Sequence, residues 1–493
     1  PVPDAKPTSR KLFRYTPAFL LLGLALRAYH YGRNPSVWHD EAALILNVIG
    51  KSFVGLLGPL FFAEDGPPLF LWLERAIRLL LGDSVFSLRL LPFAASCAAL
   101  VMLAITARRR LLPAAAPIAV LLFACSRSLL WHASEAKPYA IDVALAALLP
   151  MLACGPLRNW SLEHRLIFFA LLAPVVVMLS FPGCFLIGGV VLSLLPEVCL
   201  SRRQLPWLAF LFLLVSSSGA FLALLLGPIH AQRCESLESC WLRAFAPWDQ
   251  PWRLPVWTAV SLFGVPRYCL DPLADLLLLP AIIGYVSLWT RDQRSLVILL
   301  ISPVALAFAA ACVHAYPFDA SRVIAFATPA LALGVAEGSV ISARWLSRAN
   351  KSAERRLARW TPRIVLAILM ALLLLPLGRA LSDIVSPWPR ADVASAARFV
   401  MQERLNSDPV VGNQWEHAYY FRSLHEAFHF WDGAPIPDAP RFWLVVTAGT
   451  DAECDLLAAV AMSDRWHPIR SRNFEQCHAL LMVRNETLAL QSK

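Results

Sequence analysis

Charge is scarce in this chain. Only 16% of its 493 residues are Asp, Glu, Lys or Arg, against roughly a quarter in a soluble globular protein. That shortage, with 58% apolar residues and a mean hydropathy of +0.57, excludes a single soluble core and a disordered chain. No Cys-x-x-Cys pair occurs among the eleven cysteines, which argues against a zinc site. No glycine-rich phosphate loop is present, so nothing points to a nucleotide-binding α/β domain. There is no internal repeat.

What the chain has instead is long apolar runs. A bilayer core of ~30 Å needs about 20 mostly apolar residues per helix. The sequence supplies such segments at roughly 15–31, 88–107, 112–131, 139–155, 165–181, 183–200, 206–227, 272–290, 295–313, 322–342 and 363–380, eleven spans in all. The first runs into Arg27, Tyr29 and His30 instead of a small-residue cleavage site, so it reads as a retained span and not a signal peptide. The net charge of +10 sits in short loops between spans, which speaks for membrane topology and against nucleic acid.

The segment Pro67–Leu81 decides the topology. It is apolar but short, and carries Glu74, Arg75 and Arg78. Were it a span, Arg108–Arg110 and the basic run from Arg344 to Arg359 would face outward, against the positive-inside rule. Lying flat as an amphipathic surface helix, it leaves every strongly basic loop cytoplasmic. The loops 32–87, 132–138, 228–271 and 314–321 are then extracytoplasmic. Residues 1–380 form the membrane domain, with surface helices in the first outer loop. Residues 381–493, more polar and mixing helical stretches (Ala391–Leu405, Ala452–Met462) with strand-like ones (Pro409–Gly412, Phe442–Val446, Ala479–Val483), read as a small extracytoplasmic α/β domain. In the outer regions, Cys234 with Cys240 and Cys454 with Cys477 are possible disulfides.

The outer loops also hold the residues able to do chemistry. Trp38-His39-Asp40-Glu41-Ala42 follows the first span. Asp40 is placed to serve as a general base or a helix cap, and Glu41 or His39 to bind a metal or orient an acceptor. Glu64-Asp65-Gly66-Pro67-Pro68 is a rigid turn that is either a plain loop junction or presents two more acids. In Ser134-Glu135-Ala136-Lys137-Pro138-Tyr139, Lys137 either pairs with Glu135 or holds a phosphate as a point charge. His314, Tyr316, Asp319 and Arg322 form a fourth group, in which Arg322 either snorkels or grips phosphate oxygens with its planar fork. Nucleotide-activated donors are cytoplasmic, so acids and cations together outside the membrane suit a donor already carried on lipid. A polyprenyl-phosphate sugar meets that requirement.

These motifs resemble those of the GT-C membrane glycosyltransferases, most closely the subgroup of protein O-mannosyltransferases and lipid A aminoarabinose transferases. Trp38-His39-Asp40-Glu41-Ala42 is similar to their acidic motif. Asp65-Gly66-Pro67-Pro68-Leu69-Phe70 is similar to their His-Pro-Pro-Leu segment, and Ser134–Ala140 to Glu-Ala-Arg-Pro-Tyr-Ala. Gly66 stands where His is common and Lys137 where Arg is common; the second change keeps the charge but loses the bidentate fork. The resemblance covers about residues 15–155 well. It implies an all-α membrane domain of GT-C type with about eleven helices, in a bacterial inner membrane, its active site outside. The implied reaction is transfer of a hexose or pentose from a polyprenyl-phosphate donor to a glycan, lipid or protein. Asp40 and Glu41 would be catalytic, and Lys137 and Arg322 would hold the donor phosphate. His39, Glu64, Asp65, Glu135 and Tyr139 are acceptor or metal candidates, and a divalent cation, magnesium or manganese, is an option at Glu41 or Asp65. Readings from other classes are a transporter or lipid flippase, which would carry charges near the bilayer midplane, and an inactive scaffold. The clearest charges here lie at span ends, which favours the enzyme.

Overall fold

The computed structural model describes residues 13–485, apart from 271–272, 353–355, 434–435, 437, 450–453, 455, 459 and 461–464. The basic residues Lys6, Arg10 and Lys11 and part of the Ala452–Met462 stretch lie outside the described residues. Two compact units make up the chain. The first comprises Pro1–Gly32, Phe53–Pro59 and Asp65–Val385, and the second Arg33–Ser52, Leu60–Glu64 and Ser386–Lys493. The segments 33–52 and 60–64 adjoin the first span in sequence, yet they group with the C-terminal domain.

In the first unit, eight helices among the described residues are long and apolar enough to cross a membrane: Leu90–Arg110, Tyr139–Asn159, Leu162–Leu179, Gly183–Leu200, Gln204–Gln232, Arg294–Cys312, Arg322–Arg348 and Trp360–Val385. Each coincides with an expected span. The expected span at 272–290 is one arm of a helix pair, Pro251–Cys269 and Ala274–Thr290, bent by 98°. The remaining two are the 18-residue helix Thr16–Arg33, made more polar by Arg27, His30 and Arg33, and the 11-residue apolar helix Ala115–Cys125.

That shorter helix stops at Ser126, where the backbone turns extended, and restarts as Arg127–His132. A break in an apolar interior strands carbonyl groups that water cannot reach. Arg27, fully buried, fills the gap. Its guanidinium donates to the Phe123 carbonyl at 3.4 Å, to the Ala124 carbonyl at 3.3 Å, to the Gly23 carbonyl at 3.0 Å and to Ser96 Oγ at 2.8 Å. A second tie joins two basic loops. Buried Glu337 accepts from the Leu112 amide at 2.8 Å and from Arg291 at 2.5 Å, while Arg291 and Gln293 both donate to the Arg110 carbonyl. The loops that charge assigns to one side of the membrane therefore meet at one end of this unit. Elsewhere helices touch closely: at Gly284 and Gly338 a Cβ would collide with the facing backbone, as in small-residue membrane interfaces.

Pro68–Leu81 is a helix of 14 residues with Pro at its first turn. At 1.5 Å per residue it reaches about 21 Å, too short to cross. It buries Phe70, Leu71 and Glu74 on one side and exposes Trp72 and Leu73 on another, while Leu79, Leu80 and Leu81 are exposed together at its last turn.

The second unit contains a five-stranded mixed sheet in the order β2-β1-β3-β5-β4. The strands are β1 (Val410–Gly412), β2 (Phe428–Phe430), β3 (Arg441–Thr447), β4 (Trp466–Phe474) and β5 (Cys477–Arg484). β1 runs parallel to β2 and β3, and β5 antiparallel to β3 and β4. β3 is buried on both faces, which is why Phe442–Val446 is a continuous apolar run. One face, with Trp443, Val445 and Leu481, packs on the helix Val393–Glu403; the other carries Phe442, Leu444 and Met482. β4 is an exposed edge holding Pro468 and three arginine or histidine residues, so it lacks the apolar run that marked β1, β3 and β5. Cys477 is buried in β5 while Cys454 is exposed, and neither suspected cysteine pair is joined.

A small polar cluster closes the carboxyl ends of β1 and β3. Thr447 Oγ1 donates to Glu416 at 3.0 Å and accepts from His417 Nε2 at 3.1 Å, and His417 Nδ1 accepts from the Asn413 amide at 3.2 Å. Burial pushes the Glu416 carboxyl up to about 7 and the His417 imidazole down to about 3. A raised carboxyl favours folding in its protonated form, a contribution complete below about 4.5 and lost as pH rises through about 7. Glu416→Gln does not titrate. The melting temperature of this variant, minus that of the native chain, should therefore climb across that interval and stay level above it, measured by thermal scanning in detergent; a difference independent of pH contradicts this.

Candidate functional site

The residues singled out from the sequence fall into two sets, one in each unit.

In the membrane unit the loop Ser134–Pro138 links the helix Arg127–His132 to the helix opening at Tyr139. Its backbone folds into a tight turn, the Lys137 amide donating to the Glu135 carbonyl at 2.9 Å. Pro138 presets the entry into the next helix, and its carbonyl accepts from Ile141 and Asp142. The loop is deeply buried, Glu135 being 1% and Lys137 2% exposed. Both oxygens of Glu135 are engaged. Trp131 Nε1 donates to one at 2.8 Å and His132 Nδ1 lies 2.5 Å from the other. His132 Nε2 in turn lies 2.6 Å from the Tyr268 hydroxyl. With Nδ1 donating, a neutral imidazole accepts from Tyr268, and the whole chain of bonds is satisfied.

Arg322 arrives from far along the sequence, as the first residue of a 3-10 turn leading into the helix at Thr328. Its guanidinium is 5.9 Å from the ring centre of Tyr139 and 5.7 Å from that of Trp241. Lys137 is two residues before Tyr139, whose ring this guanidinium approaches together with that of Trp241. Tyr268 lies within electrostatic reach of Glu135, Arg322 and Asp319. Tyr316, in the loop that joins two spans, stacks edge-on with Phe185 and donates to the Val323 carbonyl at 2.8 Å. Burial first, then the charges of Asp142, Asp65 and Asp319, holds its phenol well above the usual range. Asp65 therefore shares this neighbourhood, while the turn after it is fixed by Gln232 Oε1 accepting from the Gly66 amide at 3.0 Å.

In the second unit the helix His39–Gly50 carries Asp40 and Glu41 in its first turn, where the helix dipole favours negative charge. Glu41 is fully buried, its carboxylate 3.7 Å from the Arg390 guanidinium. Asp40 is half-buried, and exposed His39 packs edge-on against Trp415 at 4.8 Å. The segment holding Glu64 is pinned to the same helix: Asn47 donates to the Phe61 carbonyl at 3.0 Å and accepts from the Phe61 amide at 2.8 Å. Those bonds hold Phe62 and Ala63 in the left-handed region, at φ 64° and 48°, a conformation that costs about 1–3 kcal/mol per residue and clusters at functional sites.

Among the described residues no three His, Cys, Asp or Glu side chains are grouped to hold a metal ion. Glu41, one of the two metal candidates, faces a cation instead, so its surroundings do not fit a divalent ion. Sequence reasoning missed Arg390, Trp131, His132, Tyr268 and Asp142. Trp131 and His132 lie four and three residues before Glu135, a local signal; the others reach their neighbours only through folding.

No protein-family model matches this chain, and no curated protein sequence matches it significantly. Solved structures do. ArnT from Cupriavidus metallidurans bound to undecaprenyl phosphate superimposes with a TM-score of 0.54 at 11% identity, over 95% of this chain and 98% of that one. Its apo state gives 0.54 at 12% identity, over 95% and 97%. An oligosaccharyltransferase from Archaeoglobus fulgidus, in complex with Zn and sulfate, gives 0.48 at 11% identity, over 83% of this chain and 62% of that one. The fold is therefore the GT-C fold, shared with ArnT along nearly the whole chain.

Removing one partner from a filled buried network costs about 1–3 kcal/mol per group left unpaired. Glu135→Ala strands Trp131 and His132, and it should lower the melting temperature clearly more than Asp40→Asn does. Equal melting of the two variants in detergent contradicts the network.

Proposed function

We propose that this chain transfers a sugar, a hexose or a pentose, from a polyprenyl-phosphate donor to an extracytoplasmic glycan, lipid or protein. The observation that carries the proposal is Arg322 set against the rings of Tyr139 and Trp241, with Lys137 buried two residues before Tyr139, in a fold shared with a protein whose structure holds undecaprenyl phosphate. Two cations behind aromatic walls suit the single phosphate of such a lipid, whose leaving oxygen gains charge as the sugar departs. A compact ammonium and a planar guanidinium can share its oxygens.

Asp40 supplies the base. The acceptor oxygen forms a bond to the anomeric carbon, the bond from that carbon to the phosphate oxygen breaks, and the electron pair leaves with the phosphate. The acceptor proton passes to the Asp40 carboxylate. Direct displacement inverts the anomeric centre. Charge distribution supports an orientation with the acidic loops outside and the basic loops at Arg110 and Arg291 in the cytoplasm, and the resemblance of the motifs to bacterial members supports a bacterial inner membrane.

The test is sugar release by purified full-length protein from radiolabelled undecaprenyl-phosphate glucose, mannose, arabinose and aminoarabinose. General-base catalysis contributes about 10²–10⁴-fold, and Asp40→Asn should lose turnover on that scale while still binding donor. Full turnover by the variant sinks the assignment of Asp40. Movement of labelled lipid across vesicles without sugar transfer would move the chain to the flippase class.

A further inference from the structure

The helix carrying Asp40 is held by residues some 350 positions further along the chain. Ser36 Oγ donates to Asp392 Oδ1 at 3.1 Å, a pair separated by 356 residues, and accepts from the Ala394 amide at 3.3 Å. Asp392 Oδ1 also caps the helix Val393–Glu403 through the Ser395 amide, so the same atom anchors both segments. The Val37 amide donates to the Tyr420 hydroxyl at 2.9 Å. Trp415 packs against His39 at 4.8 Å and Phe62 at 5.7 Å. At the centre stands Arg390, its side chain 4% exposed, between Pro389 and Ala391. It lies 3.7 Å from the Glu41 carboxylate and donates to the Ser36 carbonyl at 3.4 Å.

Asp40 and Glu41 are adjacent like charges, and Glu41 is out of water altogether. A buried carboxylate persists as a charge only with a partner, and losing one side of such a pair is far costlier than never having had it. The cation opposite Glu41 also grips the chain four residues before Asp40, so one guanidinium sets both the start of the helix and the rotation of its first turn.

We propose that Arg390 is a positioning residue for the Asp40 helix, and that the C-terminal domain serves the reaction by clamping this helix through Arg390 and Trp415. The inference rests on the assignment of Asp40 as base. Glu41 is then the clamp's anchor and Asp40 alone meets the acceptor.

The experiment uses the full chain in detergent, with Arg390→Met, Arg390→Lys, Trp415→Ala and, as control, Asp40→Asn. Hydrogen exchange is followed at residues 36–47 and, for comparison, in β3. Turnover is read with the radiolabelled undecaprenyl-phosphate sugars above. Arg390→Met and Trp415→Ala should each speed exchange at 36–47 about tenfold or more while β3 stays protected, as expected for a local opening. Misplacing a catalytic group by about 1 Å costs on the order of 100-fold, so Arg390→Met should lose kcat on that scale with donor KM nearly unchanged, and Arg390→Lys should recover part of it. Unchanged exchange at 36–47 in both clamp variants overturns the proposal. So does full kcat in Arg390→Met when Asp40→Asn is inactive. If β3 loses protection in Arg390→Met, Arg390→Lys and Trp415→Ala carry the same two readouts and decide it. If Asp40→Asn retains turnover, the base assignment fails, and exchange alone decides whether the clamp exists.

Discussion

A charge taken out of water must find its partner within the protein, at a penalty of several kcal/mol if it does not. That constraint shapes both units. Arg27 meets the carbonyls stranded where a helix breaks at Ser126. Glu337 is met by Arg291 and by the Leu112 amide, which locks two loops together. Glu135 is met by Trp131 and His132, and Glu41 by Arg390. In each case the matched group sits at a helix end or a turn, so satisfying the charge also fixes where an element starts or stops.

The membrane architecture was legible because it rests on length and apolarity alone. Eight spans coincide with their expected positions, and Pro68–Leu81 is too short to cross, as its charges suggested. The two segments that fall short of a full span, Thr16–Arg33 and Ala115–Cys125, do so for a reason apolar counting cannot register: one carries the arginine that the other's broken end requires. In the C-terminal domain β1, β3 and β5 showed as apolar runs. β2 has three residues, and β4 owes its place to backbone pairing with β5 instead of to its own side chains.

The candidate site was legible in part. Lys137 and Arg322 stand out as cations beside apolar segments, and folding gathers Tyr139 and Trp241 around the second. What the sequence left hidden is which acids are already committed. Glu135 and Glu41 look equivalent to Asp40 on paper. In the fold, Glu135 bonds Trp131 and His132 on the preceding turn, in a chain that ends at distant Tyr268, and Glu41 faces Arg390 across some 350 residues of sequence. Roles among neighbouring carboxylates are assigned by their partners, local for Glu135 and distant for Glu41.

Donor recognition turns on what Lys137 and Arg322 hold. The most direct measurement is a cryo-electron microscopy structure of the full chain in nanodiscs with undecaprenyl phosphate added. Phosphate density is expected within hydrogen-bonding distance of Lys137 Nζ and the Arg322 guanidinium, with the prenyl tail running out to lipid. Phosphate density at another place on the chain, or none at saturating lipid, would contradict the assignment.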